Sequence, residues 1–468
     1  MVGRRSLEPR RQPAPPPSHG PLVQLRARCA LASETYSAAI SRMTAGPDII
    51  RHSRSEIVSR RITVLFMQSA RPSFWRWLTA YLVAFCALVA AGCASLERLP
   101  SVPAAETARA LPSGIANARF FPLKQRDELI AEGERAVERQ RQVLGLAPDA
   151  PLPPARFLAI SGGGDDGAFG SGLLVGWTAA GTRPQFDIVT GVSTGALIAP
   201  FAFLGSEYDP QLRQVYTNIS TDDILIQRGI VGGILSDALS DTTPLWNLIS
   251  RLFDRSMMDA IAREYGKGRL LLIGTTNLDA EEPTIWNIGA IAASGHPDAL
   301  DLIRKILRAS SAIPGIFQPV MIDVTVDGKH FQELHVDGGA IAQIFLYPPN
   351  ISLNRIRTRE REAFLIRNAR NDTDGANVQR RTLSIGGRAI LAMLRASGAN
   401  DLTRIYFVLQ RDNVDYNLAY IDSDFTLPHP SENFDRTYMN ALFDYGYAKA
   451  QKGYPWRKSP PLLAGLEQ

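Results

Sequence analysis

The run FDIVTGVSTGALIA, Phe186 to Ala199, leaves this chain few ways to fold. An apolar strand, Ile188 to Val192, leads straight into Ser193. A helix-like apolar run follows to about Leu204, with Pro200 expected to kink it. Between them Gly191-Val192-Ser193-Thr194-Gly195 reads G-x-S-x-G. The glycines lack a Cβ, so a strand can turn sharply into a helix there. Such a turn lifts the serine hydroxyl above a sheet and sets it at a helix N-terminus, where the dipole and unpaired N–H groups favour negative charge. A Gly-rich strand–helix turn with serine as a cap satisfies the same five positions, so other stretches must decide.

The first lies upstream. Arg156 to Ser161 is a short apolar strand. Gly162-Gly163-Gly164-Asp165-Asp166-Gly167 follows, and then a helix-like run from Ala168 to Ala180. A glycine-rich strand–helix turn offers N–H groups to an anion. A nucleotide phosphate loop is disfavoured, because the turn has no G-K-[ST] ending, no Lys or Arg, and two aspartates that repel phosphate. An oxyanion hole fits better, since it needs donors aimed at an oxygen that is charged only in the transition state. The second is His335-Val336-Asp337-Gly338-Gly339-Ala340, where Asp337 ends a strand. Alone, it would read as a hairpin turn.

In this order and spacing the three stretches resemble the patatin-like phospholipase family. A fourth, Ala309 to Val320 (ASSAIPGIFQPV), is similar to the small-residue and proline segment that precedes the family's aspartate strand. The likeness spans about Phe157 to Asp372. It implies an α/β fold: a three-layer α/β/α sandwich with a mostly parallel central sheet. It also implies a lipid acyl hydrolase with a Ser193–Asp337 dyad in place of a histidine triad. Gly191 and Gly195 would form the nucleophile elbow, Gly338 and Gly339 the aspartate turn, and Gly162 to Gly167 the oxyanion loop. No metal or cofactor is implied. The family usually carries Arg or Lys where this chain has Asp166, which leaves headgroup preference open.

The chain has 468 residues and a formal net charge of +5 at pH 7. The excess is local. Of 51 Lys+Arg and 46 Asp+Glu, residues 1–92 hold 13 (all Arg) and 4, leaving 38 and 42 beyond, a net of −4. A nucleic-acid binder would need a basic patch in the domain itself, so nucleic acid is not an expected partner. All three cysteines, Cys29, Cys86 and Cys93, precede the domain, which excludes a disulfide framework or cysteine metal site in the body.

Residues 1–66 are rich in Arg, Pro and Ser and read as a disordered or mis-assigned leader, with Met67 as the expected start and Met43 as the alternative. Residues 67–92 have a secretory-signal pattern: Arg71 and Arg76, then an apolar run from Leu78 to Ala91, short of the ~20 residues of a bilayer span. It ends Val89-Ala90-Ala91-Gly92-Cys93, similar to a bacterial lipobox, which implies acylation of Cys93 and a membrane-anchored lipoprotein of the cell envelope. Ala94, not Asp, favours the outer membrane of a Gram-negative cell. Residues 93–153 read as a tether and an amphipathic helix, Leu123 to Leu146. Residues 154–375 form the catalytic core, and 376–468 a C-terminal α/β part of the same domain. Strand–helix alternation supports that assignment. It places a strand at Ile405–Gln410 and helices at Thr382–Ser397 and Ser431–Lys452. Asp222 to Leu252 reads as a lid, a lipid-facing surface or buried core.

The implied reaction is transfer of a lipid acyl group to water, on a phospholipid or other acyl-lipid substrate. Two alternatives stand at this stage. Ser193, Asp337 and His429 have the chain order of an α/β-hydrolase triad. The chain also fits an inactive, membrane-anchored lipid-binding lipoprotein. The sequence assigns no protein partner.

Overall fold

Long apolar runs and helical periodicities account for most of the architecture. The computed structural model describes residues 77, 79–83, 97–227, 238, 240–355, 359–370, 378–430 and 432–463. The chain divides into two units, Met1–Ala91 and Gly92–Gln468. In the first, residues 77 and 79–83 are helical. Most of the leader and signal stretch, with Cys93, lies outside the described residues.

The second unit holds the strands β1 (Leu111–Pro112), β2 (Arg119–Phe120), β3 (Ala155–Ile160), β4 (Ile188–Val192), β5 (Ile226–Gln227), β6 (Ser240–Asp241), β7 (Leu270–Asn277), β8 (Glu282–Asn287), β9 (Val320–Val326), β10 (Lys329–Asp337), β11 (Arg361–Arg370) and β12 (Asp415–Ile421). Its helices are α1 (Arg126–Leu144), α2 (Gly167–Ala179), α3 (Thr194–Leu204), α4 (Asp209–Asn218), α5 (Thr221–Ile224), α6 (Thr243–Leu252), α7 (Arg255–Gly266), α8 (Ile288–Ala293), α9 (Ala299–Ser310), α10 (Thr382–Arg411) and α11 (Arg436–Gln451).

The centre of the main sheet is parallel, in the order β12-β11-β3-β4-β7. An antiparallel flank continues it through β10, β9 and β1, with β8 attached to β7 and β2 to β8. The parallel strands are mostly apolar in their middles because both faces are covered. On β3, Leu158 and Ile160 enter one core cluster while Phe157 and Ala159 enter another. On β11, Phe364 and Ile366 divide from Ala363 and Leu365 in the same way. The larger cluster takes in residues of α2, α3, α7, α9 and α11; the other takes in Leu402, Ile405 and Leu409 of α10. The fold is thus α/β with helices on both faces of the sheet.

The structure overturns one strand expected from the sequence and settles other points. Ile405–Gln410 is not a strand but the last part of α10. Leu402, Ile405 and Leu409 recur at helical spacing and bury one face, which a short β-rich window hides. The last parallel strand is instead β12, whose Asp415 and Asn417 mask an otherwise buried run. In α1, Val143 is 59% exposed, while Glu132 is fully buried. Within Asp222 to Leu252, Ile224, Leu225, Leu245, Leu248 and Ile249 belong to the core; residues 228–237 and 239 lie outside the described residues.

The register of β7 positions the chemistry. β8 runs along one edge of β7, so β4 and β10 share the other, one after the next. Val192 of β4 pairs with Gly274, and Asp337 of β10 pairs with Thr275. Two segments about 140 residues apart in sequence therefore end at adjacent positions of one strand.

Candidate active site

β4 ends at Val192 and α3 begins at Thr194, so Ser193 alone makes the turn, at φ 56° and ψ −125°. A positive φ is costly for any residue with a Cβ, and the surroundings enforce it. The Ser193 N–H donates to Ser310 Oγ at 3.0 Å, and Ser310 Oγ donates to the Gly274 carbonyl at 2.7 Å. The glycines of G-x-S-x-G answer two steric demands. A Cβ on Gly191 would stand 2.4 Å from the Gly195 oxygen, and one on Gly195 would stand 2.3 Å from the Ile160 oxygen.

Asp337 is the last residue of β10 and is 5% exposed. Its carboxylate accepts the Gly339 N–H at 2.7 Å. Burial raises its pKa to about 7, against the opposing pull of Ser193 and the Gly339 N–H. Gly338 packs where a Cβ would meet the Gly274 oxygen at 2.5 Å. The serine and aspartate singled out in the sequence are therefore brought together.

The glycine loop lies against them. A Cβ added to Gly162 would be 3.1 Å from Ser193 Cβ. Three of its N–H groups already have acceptors: Gly162 donates to Gln343 O, Asp166 to Gly163 O, and Gly167 to the carbonyls of Asp165 and Gly164. This narrows the donor set expected over Gly162 to Gly167. Gly163 caps a short 3-10 helix, Gly164–Asp166, and the N–H groups of Gly163, Gly164 and Asp165 have no acceptor within it. The N–H of Thr194, at the start of α3, is in the same position.

Asn368 holds this loop, and the sequence reading missed it. Fully buried on β11, it takes a hydrogen bond from Gly170 N at 3.1 Å and gives one to the Ser161 carbonyl at 3.0 Å; its own N–H donates to Ser161 Oγ at 2.9 Å. The signal was a lone asparagine ending the apolar run AFLIR. Gln343 was also missed. Its Nε2 donates to the Gly339 carbonyl at 3.1 Å, and its Oε1 lies where a Cβ on Gly162 would be.

His429 does not join the pair, so the Ser193/Asp337/His429 triad is not assembled. Its Nε2 is 3.1 Å from Asp165 Oδ1, and its Nδ1 is 2.8 Å from the Pro430 carbonyl. Both ring nitrogens face acceptors, which suits an imidazolium. The hydrogen bond to Asp165 raises its pKa to about 9, against its partial burial. Asp166 accepts from the Tyr438 hydroxyl at 2.7 Å; burial, then the charge of Asp165, raise it to about 6. Asp165, Asp166 and His429 bring donor atoms within 4.8 Å of one another, close enough for a metal ion. Here they are engaged with each other, with Tyr438 and with the Phe434 N–H. His335 is buried against Thr275 and Glu333, and burial lowers its pKa despite that carboxylate, as fits a neutral structural imidazole.

Residues 158–348 match the family model described as Patatin-like phospholipase. Residues 158–348 thus form a patatin-like phospholipase domain. In general class it is a lipid acyl hydrolase. No curated protein matches the chain. Among solved structures, similarity extends to VipD from Legionella pneumophila, at 11% identity over 64% of this chain and 67% of that one, with a TM-score of 0.31. It extends also to human GIVD cytosolic phospholipase A2, at 10% identity over 59% of this chain and 51% of that one, with a TM-score of 0.24. The patatin-like match holds Ser193, Asp337 and the glycine loop. Asn368 and His429, which secure the loop, fall beyond it.

Proposed function

We propose that this protein is a serine acylhydrolase of the phospholipase A or lysophospholipase type, working through a Ser193–Asp337 dyad. The observation that carries the reading is the buried Asp337 carboxylate, with a pKa of about 7 that burial raises and nearby Ser193, on its strained elbow, pulls down. A carboxyl titrating near neutrality is a far better base than an ordinary aspartate. Asp337 takes the Ser193 proton as Oγ attacks the ester carbonyl. The carbonyl oxygen becomes an oxyanion held by the N–H groups of Gly163, Gly164, Asp165 and Thr194. The intermediate collapses, and the leaving alcohol takes the proton from Asp337. Asp337 then deprotonates a water, which attacks the acyl-serine and releases the fatty acid, returning the proton to Ser193. Each oxyanion donor is worth about 3 kcal/mol of barrier.

Cys93 is the acylated first residue of the mature chain and anchors it in the cell envelope, at the outer membrane of a Gram-negative bacterium. The lipobox-like Val89 to Cys93 supports this. One stable anchor requires more than a single acyl chain.

The test is acyl release from mixed phospholipid micelles by the full chain and by Ser193→Ala, with the mass of the mature N-terminus compared in Cys93→Ser. Activity that vanishes in Ser193→Ala, and acyl mass that vanishes in Cys93→Ser, are the expected results. Wild-type protein inert on both phospholipids and short-chain esters would overturn the enzymatic reading. An unacylated Cys93 would overturn the anchor.

A further inference from the structure

Helix α10 has two halves with different surroundings. Its C-terminal half buries Leu402, Ile405 and Leu409 against the sheet. Its N-terminal half does not: Ile385 is 53% exposed, Leu391 52% and Met393 62%. Ala389, Ala392 and Ala396 are exposed as well. Ile385, Ala389, Ala392 and Ala396 follow at intervals of four, three and four, so they form one continuous stripe. Phe407, 59% exposed, falls on the same stripe farther along. A solvent-facing helix stripe is ordinarily polar, so an apolar one marks a surface that meets something else.

The charge of this segment indicates what. Gly375 to Asn400 contains Arg380, Arg381, Arg388 and Arg395 and no acidic residue, in a body whose net charge beyond residue 92 is −4. Arg388 and Arg395, two turns apart, border one edge of the apolar stripe. An apolar face edged by arginine is the pattern of a helix lying in a membrane interface. The helix also leads to the reacting groups. Gly398 lies against Gln343, with a Cβ there 3.4 Å from Gln343 Cβ, and Asp401 Oδ2 accepts the Gln343 N–H at 2.8 Å. Gln343 in turn touches the glycine loop and the Asp337 turn.

We infer that the N-terminal half of α10 is an interfacial docking helix that seats the edge of the active site on an anionic phospholipid bilayer. Its apolar stripe enters the acyl region while the arginines meet lipid phosphates. A purpose for this surface rests on the acylhydrolase reading; the binding itself does not. Docking differs from anchoring: Cys93 would hold the protein near a membrane, whereas α10 would orient it.

The experiment is co-sedimentation with vesicles of phosphatidylcholine alone and of phosphatidylcholine mixed with phosphatidylglycerol. It uses the full chain in a Cys93→Ser, Ser193→Ala background, so that neither acylation nor lipid hydrolysis interferes. The parent is expected to prefer the mixed vesicles. Ile385→Asp with Met393→Asp should lower that partition at least about tenfold through lost apolar insertion. Arg388→Glu with Arg395→Glu should do the same, each cation near an anionic surface being worth about fivefold. With Ser193 restored, both double variants should hydrolyse a monomeric short-chain ester at the parent rate but vesicle phospholipid about tenfold more slowly. Thermal melts matching the parent exclude misfolding. Double variants that sediment like the parent overturn the docking surface. So does a dimer, seen by sedimentation velocity, that the double variants split, because a second copy would then cover the face. A parent inert on the monomeric ester counts against the acylhydrolase, while the vesicle partition still decides the docking.

Discussion

Asp337 carries opposite consequences for activity and stability. Its burial raises the carboxyl to about 7, so the form that can accept the Ser193 proton becomes abundant only above neutrality. The ascending limb of kcat/KM against pH should therefore have its midpoint near 7. Asp337→Asn removes the base and should lower kcat/KM by a factor on the order of a thousand. For folding, a carboxyl whose folded pKa lies above its ordinary value stabilises the native state below about pH 4, and that stability is lost as pH rises through 7. Three units correspond to at most about 4 kcal/mol. Asparagine has no such loss. Urea unfolding at pH 4 and pH 8 should find wild type losing more stability at the higher pH than Asp337→Asn does. Equal pH dependence in the two proteins would contradict a buried, raised carboxyl.

Among the elements, the glycine loop depends on groups that its own sequence does not include. Asn368 of β11 ties it from below, and His429, in the loop before α11, holds Asp165 from the side. His429→Ala should loosen the loop while leaving Ser193 and Asp337 in contact. We expect kcat to fall about tenfold or less, with KM little changed. The triad would require a loss as deep as that of Asp337→Asn, so turnover of the two variants on one substrate separates the readings. The difference in legibility has a physical origin. Ser193, Asp337 and the glycines could be read because each is fixed by local backbone demands: a strained turn, a close approach, a strand end. Asn368, Gln343 and Ser310 act across long sequence separations, through hydrogen bonds that exist only once the sheet has formed. β12 was missed because its polar residues interrupt the apolar run. The strand expected at Ile405–Gln410 failed because six residues do not separate a buried strand from the buried stripe of a long helix. The exposed stripe of α10 was hidden for a related reason, since apolar spacing alone does not reveal which side faces water.

For the molecule as a whole, the titrating groups divide by sign. Asp337 at about 7, Asp166 at about 6 and His429 at about 9 all lie above their ordinary values. Each stabilises the fold at low pH, and that contribution is lost as pH rises through the folded pKa. Glu333 is the counterweight. Burial opposes its charge, yet Arg119 and the His335 hydrogen bond hold it at about 2. Glu132, Glu264 and Asp412 are lowered too, despite burial, by hydrogen bonds to cationic and hydroxyl neighbours. Their stability is present above about pH 4.5 and is lost as pH falls. The two sets cross near pH 5, where the thermal midpoint should be highest, with a steady decline toward pH 9. Activity should rise over the same interval, because it needs the Asp337 anion that the fold disfavours. Calorimetry from pH 3 to 9 on Ser193→Ala, beside the wild-type pH–rate profile, tests this opposition. A midpoint that climbs to pH 8 would mean that the buried acids near the loop are ionised at little cost, and the case for Asp337 as a tuned base would fall with it.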